Sequence, residues 1–284
     1  MLDCPLYRLV SPDRVTLERI SFSMTVAECI RVPALSDNYI WMLHNPSSKE
    51  LAVIDPGDID AVMAVLEHRG LEPTEIINTH HHADHIAGNT ELMKRYGIPL
   101  TAPASDESRI SDPITTPVSH GDHITIAGYN AKVIATPGHT MGHVIFYLED
   151  CFGDHGLAIV GDTLFSLGCG RVFEGTMEDM WHSMLAVRDL PDTTMLACGH
   201  EYSASNARYV ESLNWGRDAA DARCAEIHRL RAEDKPTLPT LLGTEKAANP
   251  FLNCDQPDLA RVFGLDESDP VAVFTALRQG KDNF

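Results

Sequence analysis

The sequence predicts an α/β part, two sheets packed on each other and covered outside by helices, followed by a small all-helical part. Three observations predict it. Val144–Leu148 and Leu157–Val160 are nearly continuously apolar, as strands are when both faces are buried. Segments with apolar residues at helical spacing alternate with the strands. After Tyr202 the strand pattern gives way to helical spacing. The expected units are residues 24–202, the α/β part, and 203–284, helical.

Taken in order, Glu28–Pro33 and Tyr39–His44 read as strands separated by the turn cluster Ser36-Asp37-Asn38. Leu51–Ile54 is a third strand, ending at Asp55-Pro56-Gly57. Asp58 caps a helix over 59–69, with Ile59, Val62, Met63 and Leu66 on one face and Gly70 as its stop. Glu75–Thr79 is a strand, and Ile86–Tyr96 a helix stopped by Gly97. Pro99–Pro117 reads mostly as loop. His123–Ala127 and Ala131–Thr136 form a hairpin. Thr176 starts a helix to about Leu190, and Met195–Cys198 is a last short strand. Helical spacing then covers 204–213 and 218–232. After Pro236 and Pro239, shorter helices follow near 240–248, 257–263 and 270–279.

Composition narrows the function. The chain has 284 residues, 44% of them apolar, and a net charge of −19. That charge argues against nucleic acid as a partner, because phosphate binding wants a basic face. The 7 cysteines are scattered with no C-x-x-C pair, which fits a reducing cytoplasm better than a disulfide framework or a thiolate metal site. No apolar run is long enough for a membrane span. Residues 1–23 have no uninterrupted apolar core, so they do not read as a secretory signal. We expect them to be an extension outside the core, which begins at Met24, and the chain to be a cytoplasmic monomer.

The chemistry is concentrated in Thr79-His80-His81-His82-Ala83-Asp84-His85. Alternation by two puts His80 and His82 on one side of an extended segment, where two imidazoles can chelate one ion. Asp84 and His85 follow the turn and can face a second ion. Neutral imidazole and carboxylate suit zinc, iron or manganese. Three more strand ends carry the same residue types: His139 after Thr136-Pro137-Gly138, Asp162 after Val160-Gly161, and His200 after Cys198-Gly199. Each alone reads as a turn residue; together they supply seven ligands from four strand ends. His81 faces the other way. His143 reads equally as a group orienting a ligand or as a satisfied strand histidine. His120 and His123 fall in loop and hairpin, outside the set. No G-x-S-x-G is present, so a serine hydrolase is not supported.

In this order, these residues resemble the metallo-β-lactamase superfamily, an αββα sandwich. More narrowly, the chain is similar to the hydroxyacylglutathione hydrolases (glyoxalase II). The narrower match is carried by Asp37-Asn38-Tyr39-Ile40, by Gly161–Phe165 continuing to Gly168–Gly175, by Cys198–Tyr202, and by Arg278-x-x-Lys281-Asp282. It covers Met24 to Phe284. The resemblance implies two divalent ions per chain, zinc first, with iron or manganese as alternatives. His80, His82 and His139 would hold one and Asp84, His85 and His200 the other, with Asp162 bridging. It also implies hydrolysis of S-D-lactoylglutathione and related thioesters to glutathione and D-lactate, the second step of methylglyoxal detoxification. Asp84 and Asp162 would be the catalytic carboxylates.

The glutathione moiety would lie against Arg171, Phe173, Tyr202, Arg278 and Lys281. Phe173 lacks the hydroxyl found there in some members and can only pack. Cys169 reads as loop packing. The rival readings are a persulfide dioxygenase with one iron, a nuclease or lactonase on the same fold, and a non-catalytic metal-binding module. The acidic charge disfavours the nuclease, and the full ligand set disfavours the module.

Overall fold

The computed structural model describes residues 27–153 and 155–284; the expected extension, residues 1–23, lies outside the described residues. The first sheet holds β1 (Glu28–Ala34), β2 (Asn38–His44), β3 (Leu51–Ile54), β4 (Glu75–Ile77), β5 (Leu100–Pro103) and β6 (Thr116–Val118), in chain order across the sheet. The first three run antiparallel, and β3 to β6 are parallel. Parallel neighbours need crossovers. These are α1 (Ile59–Arg69), the pair α2 (Ala83–Ile86) and α3 (Asn89–Tyr96), and, between β5 and β6, residues 104–115.

The second sheet starts with β7 (His123–Ile126), β8 (Tyr129–Ala135), β9 (Val144–Phe152) and β10 (His155–Gly161). A two-stranded hairpin of β11 (Leu164–Phe165) and β12 (Gly168–Cys169) follows, then α4 (Met177–Arg188) and β13 (Met195–Cys198), which pairs parallel with β10. The rest is α5 (Ser203–Ser212), α6 (Asp218–Ala232), β14 (Thr240–Leu241), α7 (Leu242–Ala248), α8 (Pro257–Phe263) and α9 (Pro270–Asp282).

Side-chain alternation explains the layering. On β2, Tyr39, Trp41 and Leu43 enter the core between the sheets, while Ile40 and Met42 enter the core under α1 and α3 with Val62, Leu66 and Leu92. With both faces covered, the strand shows no polar alternation. The helix ends follow local rules. Asp58 accepts the Asp60 and Ala61 N–H groups at the start of α1, and Gly70 ends it at φ 64°. Thr176 and Asp179 form a reciprocal cap on α4.

Four readings need correction. Ile86–Tyr96 is not one helix: Ala87-Gly88 separates α2 from α3, and Asp84 and His85 lie within α2. The break is packed, since a Cβ on Gly88 would sit 2.5 Å from the Pro56 carbonyl oxygen. Pro99–Pro117 contains β5 and β6, whose short lengths and prolines hid them in a polar stretch. The β11–β12 hairpin leaves no pattern in the sequence, because each strand has only two residues. Last, the helical part contributes β14, paired with Met195 and Leu196 of β13. Its helices share the inter-sheet core through Phe251, Phe274 and Leu277, alongside Trp181 of α4. Among the described residues, no helix is long and apolar enough to cross a membrane.

Candidate active site

The two sheets meet at one edge, and the polar strand ends gather there. Trp41 Nε1 donates to the Cys198 carbonyl (2.8 Å), the Tyr39 N–H to Gly199 (2.8 Å), and the Val144 N–H to Thr79 (3.0 Å). The Gly199 N–H to Gly161 O (2.8 Å) and the Thr136 N–H to His143 O (2.9 Å) add the ends of β10 and β8, and all seven expected ligands come together. His82 Nδ1 lies 3.1 Å from His80 Nε2 and 3.0 Å from His139 Nε2. His200 Nε2 and His85 Nε2 each lie 3.5 Å from Asp84 Oδ2. Asp162 stands between the groups, with Oδ2 3.4 Å from His139 and 3.2 Å from His200, and Oδ1 3.5 Å from His85.

The backbone had to be small for this approach. A Cβ on Gly199 would fall 2.4 Å from Asp162 Oδ1. Gly161 turns at φ +47°, where a Cβ would meet Thr79 Oγ1 at 2.5 Å.

Four of the five imidazoles have a polar group beside the other nitrogen. His139 Nδ1 donates to the Arg171 carbonyl (2.8 Å), and His200 Nδ1 to Asp37 Oδ1 (2.8 Å). His80 Nδ1 lies 3.0 Å from Thr79 Oγ1, and His85 Nδ1 3.2 Å from Asp55 Oδ2. Asp55 is itself fixed, accepting from the Thr79 N–H (2.8 Å) and hydroxyl (2.7 Å). Asn38 Nδ2 donates to Asp84 Oδ2 (3.0 Å). His143 accepts the Asp162 N–H at Nε2 (3.1 Å), and its Nδ1 lies 3.0 Å from the Thr136 and Thr163 hydroxyls. It therefore supports the turn that carries Asp162.

Burial, with the charges of neighbouring histidines, holds His80 and His143 well below the usual imidazole range. His82 is pushed down to about 4 by burial, then His139 and His81. Burial also lowers His139. For His85 and His200, burial acts downward, but Asp162 together with Asp55 beside His85 and Asp37 beside His200 outweighs it, and the net shift is upward. Burial would raise Asp162, yet His85 and His200 hold it well below the carboxylate range.

His82 Nδ1 lies within 3.1 Å of two other ring nitrogens and has at most one N–H to offer them. His85 Nε2 and Asp162 Oδ1 are buried with no hydrogen-bond partner. Ligands on a tetrahedral cation stand roughly 3.3 Å apart, close to the spacings seen. The ligand atoms of His80, His82 and His139 lie within 4.8 Å of one another, as do those of Asp84, His85 and His200. The donor set thus fits two divalent cations. A third candidate group, Asp55 with His80 and His85, is less suited because Thr79 already occupies the Asp55 carboxylate.

Comparison with known proteins agrees in both halves of the chain. Residues 37–200 match the family model of the metallo-beta-lactamase superfamily, and residues 201–284 match that of the hydroxyacylglutathione hydrolase C-terminus. A hydroxyacylglutathione hydrolase from Maricaulis maris (strain MCS10) is 43% identical over 252 residues, 89% of this chain and 96% of the relative. One from Rhodopseudomonas palustris (strain BisA53) is 42% identical over 256 residues, 90% of this chain and 98% of the relative.

The chain belongs to the hydroxyacylglutathione hydrolase family.

The fold is shared more widely. A metallo-beta-lactamase from Staphylococcus aureus subsp. aureus COL superposes with a TM-score of 0.62 at 19% identity, covering 90% of this chain and 72% of that one.

In this hydroxyacylglutathione hydrolase-family chain, a cleft of about 510 Å³ opens over the ligands, and its far wall is formed by Arg171, Phe173, Tyr202, Ser205, Arg278, Lys281, Asp282 and Phe284. Phe173 is 61% exposed, with its ring 5.9 Å from that of His82 and 5.3 Å from that of His139. Tyr202 stacks on His200 at 4.6 Å. Lys281 Nζ donates to Ser205 O (3.0 Å) and Oγ (2.8 Å). Burial, then Arg278, Arg208 and Arg171, pushes its pKa down to about 8. Arg171 is an exposed side chain with one ion pair, to Asp282 at 3.4 Å.

Arg278 differs from the others. It is only 4% exposed, and it donates to the Cys169 carbonyl (2.8 Å) and to Asp282 (3.0 Å). Cys169 is buried, with a thiol that burial pushes up to about 11, which suits packing. Asp55 was read only as a turn residue, and Asp37 and Asn38 as a turn and part of a family match. Their signal was an acidic or amide residue at a strand end facing a histidine-rich turn.

Proposed function

We propose that this chain hydrolyses the thioester of S-D-lactoylglutathione and related S-2-hydroxyacylglutathiones, releasing glutathione and D-lactate. The observation that carries the reading is one cleft with a paired ligand set on one wall and Arg171, Lys281 and Tyr202 on the other. His80, His82 and His139 would hold one ion, and Asp84, His85 and His200 the other, with the Asp162 carboxylate between them. Zinc is the first choice, then iron or manganese, because the donors are imidazole and carboxylate. When bound, two such ions lower the pKa of a shared water and polarise a carbonyl oxygen.

The protein's own residues supply orientation. Asp84, held by Asn38, accepts a hydrogen bond from the attacking water and points it at the thioester carbon. Asp37 keeps His200 in the tautomer that leaves Nε2 facing inward, and the Asp55 carboxylate lies 3.2 Å from His85 Nδ1. The leaving thiolate needs little acid help, since a thiol is already fairly acidic. Arg171 and Lys281 take the glutathione carboxylates. Arg278 acts from beneath, tying the helical part to the Cys169 carbonyl. Phe173 and Tyr202 wall the cleft on either side of the reacting group.

Thiol release from S-D-lactoylglutathione, measured with metal analysis of the same sample, tests the reading. Turnover with two ions per chain is expected. No thiol release, or oxygen consumption with a single iron, would replace it with the dioxygenase reading.

A further inference from the structure

The loop Gly170–Gly175 carries Arg171 and Phe173 over the cleft, yet little apolar burial holds it down. Two backbone bonds tie it to the His139 turn: Phe173 N–H to His139 O (3.3 Å) and Gly175 N–H to Gly138 O (3.1 Å). At its start the loop is tied by the Gly170 N–H to Thr163 O (3.2 Å), by His139 Nδ1 to the Arg171 carbonyl (2.8 Å) and by the Arg171–Asp282 ion pair (3.4 Å). The side chain that anchors its far end is Glu174. Its Oε2 accepts the Met141 N–H (2.8 Å), and its Oε1 accepts from the Arg109 guanidinium. Arg109 comes from the segment after β5, on the other sheet. The same guanidinium nitrogen donates to His81 Nε2 (3.1 Å), and His81 Nδ1 lies 3.1 Å from Asp106 Oδ2. Asp106 is 2% exposed and seated against Gly142, where a Cβ would strike its Oδ1 at 2.0 Å. A chain of polar contacts thus runs from a buried carboxylate to the loop tip, and none of its four members lines the cleft.

We propose that Arg109 and Glu174 are positioning residues for the substrate loop: their ion pair, backed by His81 and Asp106, holds Phe173 and Arg171 over the cleft. An isolated surface pair contributes little. This one is joined to a backbone N–H and to His81, and it acts on a ring that burial does not fix. Without it the loop must be ordered when substrate arrives, a cost that falls on binding and leaves the chemical step alone. Only the kinetic arm of the test rests on the thioesterase reading.

Glu174→Gln removes the charge but keeps an oxygen for the Met141 N–H. Arg109→Ala removes the partner, and Arg109→Lys keeps its charge. Amide hydrogen exchange at Phe173 and Gly175 is measured on the full metal-loaded chain, alongside KM and kcat for S-D-lactoylglutathione. The expected result is faster exchange, KM raised roughly three- to tenfold, kcat within about twofold, and unchanged metal content. Arg109→Lys should fall between wild type and Arg109→Ala, and the double variant should be no worse than either single one. Unchanged exchange overturns the proposal whatever the kinetics. Faster exchange with an unchanged KM also overturns it, because the loop would then not position substrate. A loss of metals would assign the network to the ligands and overturn it too. If wild type releases no thiol, the thioesterase reading fails, and the exchange measurement alone decides the latch.

Discussion

The two walls of the cleft are held in opposite ways. On the ligand wall nearly every functional atom has a dedicated partner behind it: Asp37 behind His200, Asp55 by His85, Asn38 on Asp84, His143 under Asp162. On the opposite wall, Arg171 and Phe173 are largely exposed, and Lys281 is held by Ser205 and by the faces of Tyr209 and Phe284. A site that must meet metal geometry is over-determined, since small displacements cost much. A surface that holds a flexible peptide-like moiety works through charge and contact area and tolerates looser anchoring. The first wall should therefore control kcat and metal content, and the second KM.

The sharpest way to break this contrast is at its centre. Asp162→Ala should lose at least one ion and lower kcat by more than about a hundredfold, because the variant removes the carboxylate between the groups. Full turnover with both ions retained would show that Asp162 is not the link.

One shell outward the effect shrinks. Asp37→Asn and Asp55→Asn should each weaken metal affinity by roughly ten- to a hundredfold, read by chelator titration, with KM nearly unchanged in the metal-saturated protein. A change confined to KM would place these residues with the other wall.

On the cationic wall, Lys281→Ala should raise KM for lactoylglutathione by about ten- to a hundredfold, the worth of a charge-assisted hydrogen bond. Metal content should not move. Arg278→Ala should differ, because Arg278 is buried and ties the Cys169 loop: a lowered melting temperature should accompany its rise in KM. Equal melting temperatures for the two variants would erase that distinction.

The smallest effect concerns pH. With its pKa pushed down to about 8, Lys281 is charged below that pH and neutral above it. Attraction for the substrate carboxylates is fully present below about 8 and fades as pH rises through it. KM should climb on that limb, and Lys281→Arg should flatten the climb. A wild-type KM that stays flat to pH 9 would take Lys281 out of the binding wall.

The ligand wall was legible in the sequence because its residue types are rare at strand ends and its spacing follows strand geometry. His80, His82, Asp84, His85, His139, Asp162 and His200 could be named from pattern alone. Asp55 and Asp37 could not be given roles, because aspartate after a strand is common turn chemistry and only the fold brings them behind an imidazole. The near-continuous apolar strands announced two buried sheet faces. β11, β12 and β14, two residues each, carry no periodicity, whereas β5 and β6 were hidden by the prolines and polar residues around them; β3, β4 and β13 are as short but stand out as apolar runs. Arg278 and Lys281 were expected to act together because they are three apart on a helix. Both border the cleft, but Arg278 is buried and tied to the Cys169 carbonyl, while Lys281 is held at Ser205.

The most direct test of two separately acting walls uses one variant and two substrates. In Lys281→Ala, kcat/KM is measured for S-D-lactoylglutathione and for a small lactoyl thioester that lacks glutathione. A fall of at least about tenfold on the first, with no change on the second, is the predicted result. An equal fall on both, or none on either, would contradict the division of the cleft into a wall that reacts and a wall that binds.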